Sequence, residues 1–299
     1  MSAACPICGR SDATFLFSRP PDHDPTGRLF SVLRCAGCAV ERLDPVPTEE
    51  ELDKAYGSGY YERHSPDTGT AGRLRRLAWD VEIRPLRRHF RAGCRVLEVG
   101  CGTGELLSLL RARYGADVRG IDRSEDAIAA CEVKGIPIHA GTLDDAPIPD
   151  GSIDAMIMRH VLEHVPSPPE LLATARRMLV PGGALLLTVP VTGGWDQRVF
   201  ADRWEGYRIP EHLLHFPTEV VVSLLERAGF EVGAERHSLV PNPWVNAVQR
   251  RLQLKGWSRA ARFVSLRNPA ALALALPVSA VASLARRSGR LTVLAVARS

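Results

Sequence analysis

The chain has 299 residues, 45% of them hydrophobic and 24% charged, with a formal net charge of +4. That composition excludes a disordered or collagen-like chain and leaves room for one large domain or two modest ones. The charge is uneven: residues 241–299 hold ten Arg or Lys and no Asp or Glu, so all 34 acidic residues lie in the first 240.

Such asymmetry predicts a basic surface suited to a phosphate, a nucleic acid or an anionic membrane; the alternative is a basic helical tail solvated on one face. Residues 1–20 show no apolar core with a basic flank. The most apolar run, "PAALALALPVSAVASLA", is interrupted by Pro277 and falls short of the ~20 residues that span a bilayer. The expectation is therefore a cytoplasmic protein whose seven cysteines are not disulfides.

The chain begins with two C-x-x-C knuckles, "CPIC" (Cys5, Cys8) and "CAGC" (Cys35, Cys38). Two knuckles can bring four thiolates to one tetrahedral zinc, and four protein ligands would make that zinc structural. The rival, a redox dithiol, needs only one pair. Residues 1–45 are expected to form a small zinc ribbon, with a hairpin joining the knuckles and Gly9 and Gly37 easing the turns. Residues 46–91 follow as a helical linker or lid, opened by a Thr48/Glu51 capping box.

From residue 92 the pattern becomes α/β. "RVLEVG", "DVRGID", "IPIHAG", "IDAMIMR", "ALLLTVP" and "FEVGAERHS" read as strands. "GELLSLLRARYG", "SEDAIAACEVKG" capped by Ser124, "PPELLATARRMLVPGG" stopped by Pro-Gly-Gly, and "PTEVVVSLLERAGF" read as helices. Alternation of this kind predicts a mostly parallel sheet covered on both faces. A basic, apolar, helical insertion at about 240–290 precedes a last strand, "LTVLAVAR". Within it "WVNAVQRRLQLKGW" predicts an amphipathic basic helix with tryptophans, either a lid on a substrate pocket or a peripheral membrane contact.

The chemistry centres on "VLEVGCGTGELL". A strand runs into Gly100-Cys101-Gly102-Thr103-Gly104 and then a helix, whose first N–H groups can face an anion. Asp122 closes the next strand, where a carboxylate can accept hydrogen bonds from both ribose hydroxyls.

"HVLEH" (His160–His164) matches a zinc-protease pattern when read alone. The strand before it and Pro166, Pro168 and Pro169 after it break the helix a protease would need.

These motifs resemble the class I S-adenosylmethionine-dependent methyltransferases. The carriers are "E-V-G-C-G-T-G", "GID", "GTLDDAPIPDGSIDAMIMRHVLEHVPSP" and "LVPGGALLLTVP". The resemblance implies a Rossmann-like seven-stranded sheet of order 3-2-1-4-5-7-6 over residues 92–299, with S-adenosylmethionine as cofactor. It further implies that Glu98, Gly100, Cys101, Gly102 and Gly104 frame the methionine end, with Arg159 beside it, and that Asp122 holds the ribose. Arg123, Thr142 and Leu143 would border the adenine. Thr142 stands where many relatives have an acid, so Asp144 or a backbone carbonyl would substitute. Tyr61, with Tyr60, would lie near the sulfonium or join the zinc module to the core.

The knuckles, the core and "WEGYRIPEHLLHFPTEV" together are similar to zinc-containing sugar C-methyltransferases, although Ile209 replaces that family's tyrosine. The resemblance implies His212 as a base near neutral pKa, with Glu211, and His164 as a loop-holding or substrate-facing residue. For His212 the alternative is a helix cap. The expected reaction is C- or O-methylation of a small molecule, such as a sugar, glycolipid or secondary metabolite. An RNA methyltransferase is the second reading, against which the knuckle segment is not notably basic and shows no stacking platform. A third is a non-catalytic zinc-containing binding protein that retains the fold.

Overall fold

The computed structural model describes residues 4–22, 24, 26–56, 69–239, 241–266 and 268–298. In chain order the strands are β1 (Ala13–Arg19), β2 (Phe30–Cys35), β3 (Glu41–Asp44), β4 (Arg95–Val99), β5 (Asp117–Asp122), β6 (Ile138–Ala140), β7 (Ile153–Arg159), β8 (Leu179–Thr192), β9 (Leu214–Pro217), β10 (Phe230–His237) and β11 (Arg290–Ala297). The α-helices are α1 (Glu49–Tyr56), α2 (Gly69–Glu82), α3 (Glu105–Tyr114), α4 (Glu125–Val133), α5 (Pro168–Met178), α6 (Trp195–Phe200), α7 (Thr218–Arg227), α8 (Asn242–Leu254), α9 (Ser258–Phe263) and α10 (Pro269–Leu284). The chain divides into two compact units: Thr48–Val189, Val221–Glu235 and Thr292–Ser299 form one; Met1–Pro47, Pro190–Val220 and Arg236–Leu291 form the other.

In the first of these, β4 pairs in parallel with β5 and β7, β5 with β6, and β7 with β8. β11 pairs with β8 and β10 with β11. The order β6-β5-β4-β7-β8-β11-β10 is the 3-2-1-4-5-7-6 order that the methyltransferase resemblance implies. This is an α/β Rossmann-like fold. The strands read as nearly continuous apolar runs because helices cover both faces. Val96, Leu110, Ile157 and Leu186 are wholly buried in its core, each burial being worth about 1.5–3 kcal/mol. Ahead of the sheet, the Thr48 and Glu51 side chains each accept the other residue's backbone N–H, the capping box expected there.

Two local expectations in this unit are corrected. The Pro-Gly-Gly at 181–183 does not stop the helix: α5 ends at Met178, and the three residues lie inside β8. There the register jumps from Ile153↔Leu179 to Ala155↔Ala184, so the proline and glycines make a bulge, a place where a strand tolerates both. Ser124 stands at the N-cap of α4 but its side chain caps nothing. Its own N–H donates instead to Asp122 Oδ1 at 3.0 Å.

In the other unit, β1, β2 and β3 form an antiparallel meander and β3 pairs with β9. Phe30, Val32, Leu43, Trp204, Tyr207 and Ile209 make its core. Gly9 takes φ +75°, whereas at the second knuckle Ala39 carries the positive φ of +60°. Gly37 serves a different need: a Cβ there would meet Arg10 Cδ at 2.4 Å and Cys8 Sγ at 3.3 Å. Its absent side chain is what lets the two knuckles close.

Candidate cofactor and catalytic sites

The loop after β4 is built for close approach. Gly100, Gly102 and Gly104 take φ of +67°, +52° and +69°, a region that L side chains disfavour. A Cβ on Gly104 would come within 2.7 Å of Cys131 Sγ and Ile136 Cδ1. α3 starts directly after it at Glu105, so its unsatisfied N–H groups belong to this loop. Cys101 is buried, its Sγ 4.0 Å from that of Cys131.

Asp122, at the end of β5, is tied to the loop. Its Oδ2 accepts Gly102 N–H at 2.8 Å while its Oδ1 accepts Ser124 N–H. Arg123 is exposed beside it. After β6, Thr142 N–H donates to Asp145 Oδ1 at 2.7 Å, forming a turn that buries Leu143. Asp144 accepts the Thr174 hydroxyl at 2.7 Å.

Glu98 lies wholly buried two residues before Gly100. Arg159 Nε and Nη2 both donate to its Oε1, at 3.3 and 3.1 Å. Burial pushes the Glu98 carboxyl up to about 7, although Arg159 opposes the shift. Burial alone would lower the Arg159 guanidinium, but the charges of Glu98 and Glu82 outweigh it and hold it above its ordinary value. Arg159 also stacks 5.1 Å over the Trp79 ring and reaches Glu82 Oε2 at 3.6 Å. Glu82 in turn accepts the Thr188 hydroxyl, which lies 3.0 Å from that of Thr292. Sequence reading missed Trp79, Glu82, Thr188 and Thr292; the available signal was an acid and an indole on the helix before the glycine strand.

Among the described residues, Glu98 Oε2 has no hydrogen-bond partner. A buried orphan acceptor at a strand end, a glycine loop with helix N–H groups and an acid at the next strand end form one donor and acceptor set. That set fits the ammonium, carboxylate and ribose of an amino-acid nucleoside cofactor.

"HVLEH" is not a helix. β7 ends at Arg159, His160 takes φ +56° and Leu162–His164 make a single 3-10 turn. His160 N–H donates to Thr188 O at 2.8 Å, and its Nδ1 lies 3.0 Å from the buried Glu163 Oε1. His164 N–H donates to Val161 O. Tyr60 and Tyr61 lie outside the described residues.

Glu211 and His212 belong to the other unit, in the turn before β9, and both are buried. His212 Nδ1 lies 2.7 Å from Gly206 O; a carbonyl only accepts, so Nδ1 carries a proton and donates it there. Arg208 Nη2 stands 3.5 Å from Glu211 Oε1. His215 Nε2 donates to Tyr207 O at 3.2 Å.

The same unit gathers four sulfurs. Cys5 and Cys38 Sγ are 3.6 Å apart, Cys8 and Cys35 Sγ 3.4 Å, and all four lie within 4.8 Å of one another. Thiolates on a tetrahedral zinc at about 2.3 Å would stand about 3.8 Å apart. Gly37 N–H points at Cys35 Sγ at 3.4 Å, the second-layer contact that thiolate ligands use.

Residues 71–235 match the family model described as "Methyltransferase domain". The chain belongs to that family. It is 32% identical over 146 residues to a Mycolicibacterium smegmatis protein named "Probable S-adenosylmethionine-dependent methyltransferase", covering 48% of this chain and 54% of the relative. It is 38% identical over 104 residues to the ubiquinone biosynthesis O-methyltransferase of Xanthomonas oryzae pv. oryzae, covering 32% and 43%. The matches thus span about half the length of these relatives. The fold is shared with a SAM-dependent methyltransferase from Thermotoga maritima at TM-score 0.54 and 18% identity, over 83% of this chain and 100% of that one. The fold is that of the class I S-adenosylmethionine-dependent methyltransferases.

Proposed function

We propose that the protein transfers a methyl group from S-adenosylmethionine to a small-molecule acceptor, a sugar, glycolipid or secondary metabolite. The observation that carries this reading is the joint placement of the positive-φ glycine loop, Asp122 and the orphan carboxylate oxygen of Glu98. The ubiquinone O-methyltransferase relative supports a small acceptor.

When bound, the cofactor supplies an electrophilic methyl on a sulfonium. The chain's own residues do the rest. Gly100, Cys101, Gly102 and Gly104 admit the methionine end, and Glu98, held by Arg159, receives the ammonium. Asp122 accepts from the ribose. Arg123, Thr142 and Leu143 border the base, with the adenine amino group left to Asp144 or a backbone carbonyl. His212, whose Nδ1 lies 2.7 Å from Gly206 O, takes the acceptor's proton, with Glu211 beside it; His164 is a further candidate for acceptor contact. A neutral imidazole is well matched to proton transfer near pH 7. Holding donor and acceptor in line provides most of the acceleration.

Cys5, Cys8, Cys35 and Cys38 hold a structural zinc in a small ribbon, because four thiolates leave no open coordination position. In this respect the chain is similar to the zinc-containing sugar C-methyltransferases.

The test has two arms. Calorimetric titration should show S-adenosylmethionine binding; a silent titration would overturn the reading. His212→Ala should retain donor binding yet lose turnover by roughly 10²–10⁴-fold on whichever sugar or phenolic acceptor the wild type methylates. Undiminished turnover would remove His212 from the mechanism.

A further inference from the structure

The insertion before β11 carries an exposed apolar and basic surface. α9 and α10 pack on α8, yet α10 buries only Ala271, Ser279 and Ala282 in that packing. Its large side chains face outward: Leu274 is 76% exposed, Val281 54% and Leu284 85%, with Leu276 and Val278 also exposed. Leu274, Val281 and Leu284 stand at i, i+7 and i+10, so they fall within about 80° of one side of the helix. Trp257, Phe263 and Leu266, around α9, are exposed as well. Exposed apolar area on this scale marks a binding surface.

The charges around it say what it binds. Arg251, Lys255, Arg259, Arg262, Arg286 and Arg287 are all exposed on the same stretch, and residues 241–299 contain no acid. Two acids from elsewhere in the unit, Asp22 and Glu205, are engaged with α8: Arg250 pairs with Asp22 at 2.6 Å and Asn246 donates to Glu205 at 2.6 Å. A second copy of the chain would place this patch against itself and set cation on cation. RNA would use the arginines but gain nothing from aliphatic leucine and valine.

We propose that α8–α10 form a peripheral docking surface for an anionic lipid bilayer. Leu274, Val281, Leu284, Trp257 and Phe263 enter the headgroup–acyl boundary while the arginines meet lipid phosphates. At 16 residues, α10 is about 24 Å long. No helix among the described residues is long and apolar enough to cross a membrane, so the helix lies in the interface. This proposal does not depend on the methyl-transfer reading.

Vesicle sedimentation tests it directly. The full chain should pellet with vesicles of phosphatidylglycerol and phosphatidylcholine, bind pure phosphatidylcholine at least 10-fold more weakly, and release as salt rises. The double variant Leu274→Asp, Leu284→Asp should lose at least 10-fold in affinity for the anionic vesicles. Its melting temperature should match wild type, because both residues are exposed. A second variant, Arg259→Glu with Arg262→Glu, should lose binding by a similar factor. Three results would overturn the proposal: no pelleting with anionic vesicles; equal binding by the aspartate variant; or a wild-type dimer, indifferent to vesicles, that the aspartate variant converts to monomer. Retention of single-stranded RNA by a protein that ignores vesicles would assign the basic surface to nucleic acid instead.

Discussion

The unit that carries the glycine loop and the unit that carries the cysteines bury different kinds of residue. In the first, the buried strands are mostly apolar and the buried acids are few, Glu98, Asp122 and Glu163, with Glu98 tied through the half-buried Arg159 to Glu82. In the second, Arg19, Glu41, Arg42, Asp196, Glu211, His212 and His215 are buried beside a small aromatic core. Glu41 illustrates the second arrangement. It accepts from Arg34 at 2.7 Å and from Tyr207 at 2.9 Å, and Gln197 bonds both Glu41 and Tyr207. A parallel sheet is stabilised by area removed from water. A meander this polar depends on each partner being present, and on the metal proposed for the four cysteines.

The largest test of that contrast is removal of the zinc proposed for the four cysteines. Cys35→Ser, or treatment with a strong chelator, should expose the backbone of Phe30–Cys35 and Glu41–Asp44 to hydrogen exchange. Protection at Val96–Val99 and Met156–Met158 should persist. Structural zinc sites of this kind contribute on the order of 10 kcal/mol, more than a small unit can lose and stay folded. Purified protein without zinc, or unchanged exchange in the meander, would dissolve the contrast.

Next comes Gly104→Val. Its φ of +69° and the 2.7 Å approach to Cys131 and Ile136 should cost roughly 3 kcal/mol or more. Donor affinity should fall by at least about 100-fold, read by calorimetry. The meander should exchange as in wild type, because the lesion is confined to the other unit. Wild-type affinity would show that the loop's conformation does not matter to the cofactor.

Asp122→Asn should act more gently. Both Asp122 oxygens already hold loop N–H groups, and Asn keeps one acceptor of the two. The expected loss is about 10–100-fold in donor affinity, the scale of one or two charge-assisted hydrogen bonds. An adenosine fragment should lose as much as the whole donor. A fragment that binds both proteins equally would move the ribose away from Asp122.

The glycines and Asp122 were legible because strand, turn and acid are set by neighbours within a few residues. The alternation of strands and helices made the α/β class legible, while the strand order came from the resemblance to the methyltransferases. The Arg159 network was not legible. Its partners lie 61 residues away at Glu98 and, for Glu82 and Thr188, 106 residues from each other. Register between strands and a packed helix decides such contacts, and no local pattern encodes it. Pro181-Gly182-Gly183 misled because the same residues that end helices also make bulges. Gly37 misled in the opposite way, since a glycine kept for space looks like one kept for φ.

The smallest effect concerns Glu98, and pH reads it. Its carboxyl ordinarily titrates near 4.5 and stands at about 7 in the folded chain, raised by burial against the pull of Arg159. The folded state therefore holds this proton more tightly than the unfolded chain does. Its contribution to stability is complete below pH 4.5 and declines as pH rises to about 7, with a slope of at most about 1.4 kcal/mol per pH unit. Glu98→Gln cannot titrate. Plotted against pH, the melting temperature of wild type minus that of the variant should fall across that window and level off above it. Parallel curves would mean that Arg159 keeps Glu98 ionised throughout, and the buried charge would then be a permanent ion pair. A curve that flattens when S-adenosylmethionine is added would tie the proton to the cofactor's ammonium, which can take the place of that proton on the carboxylate.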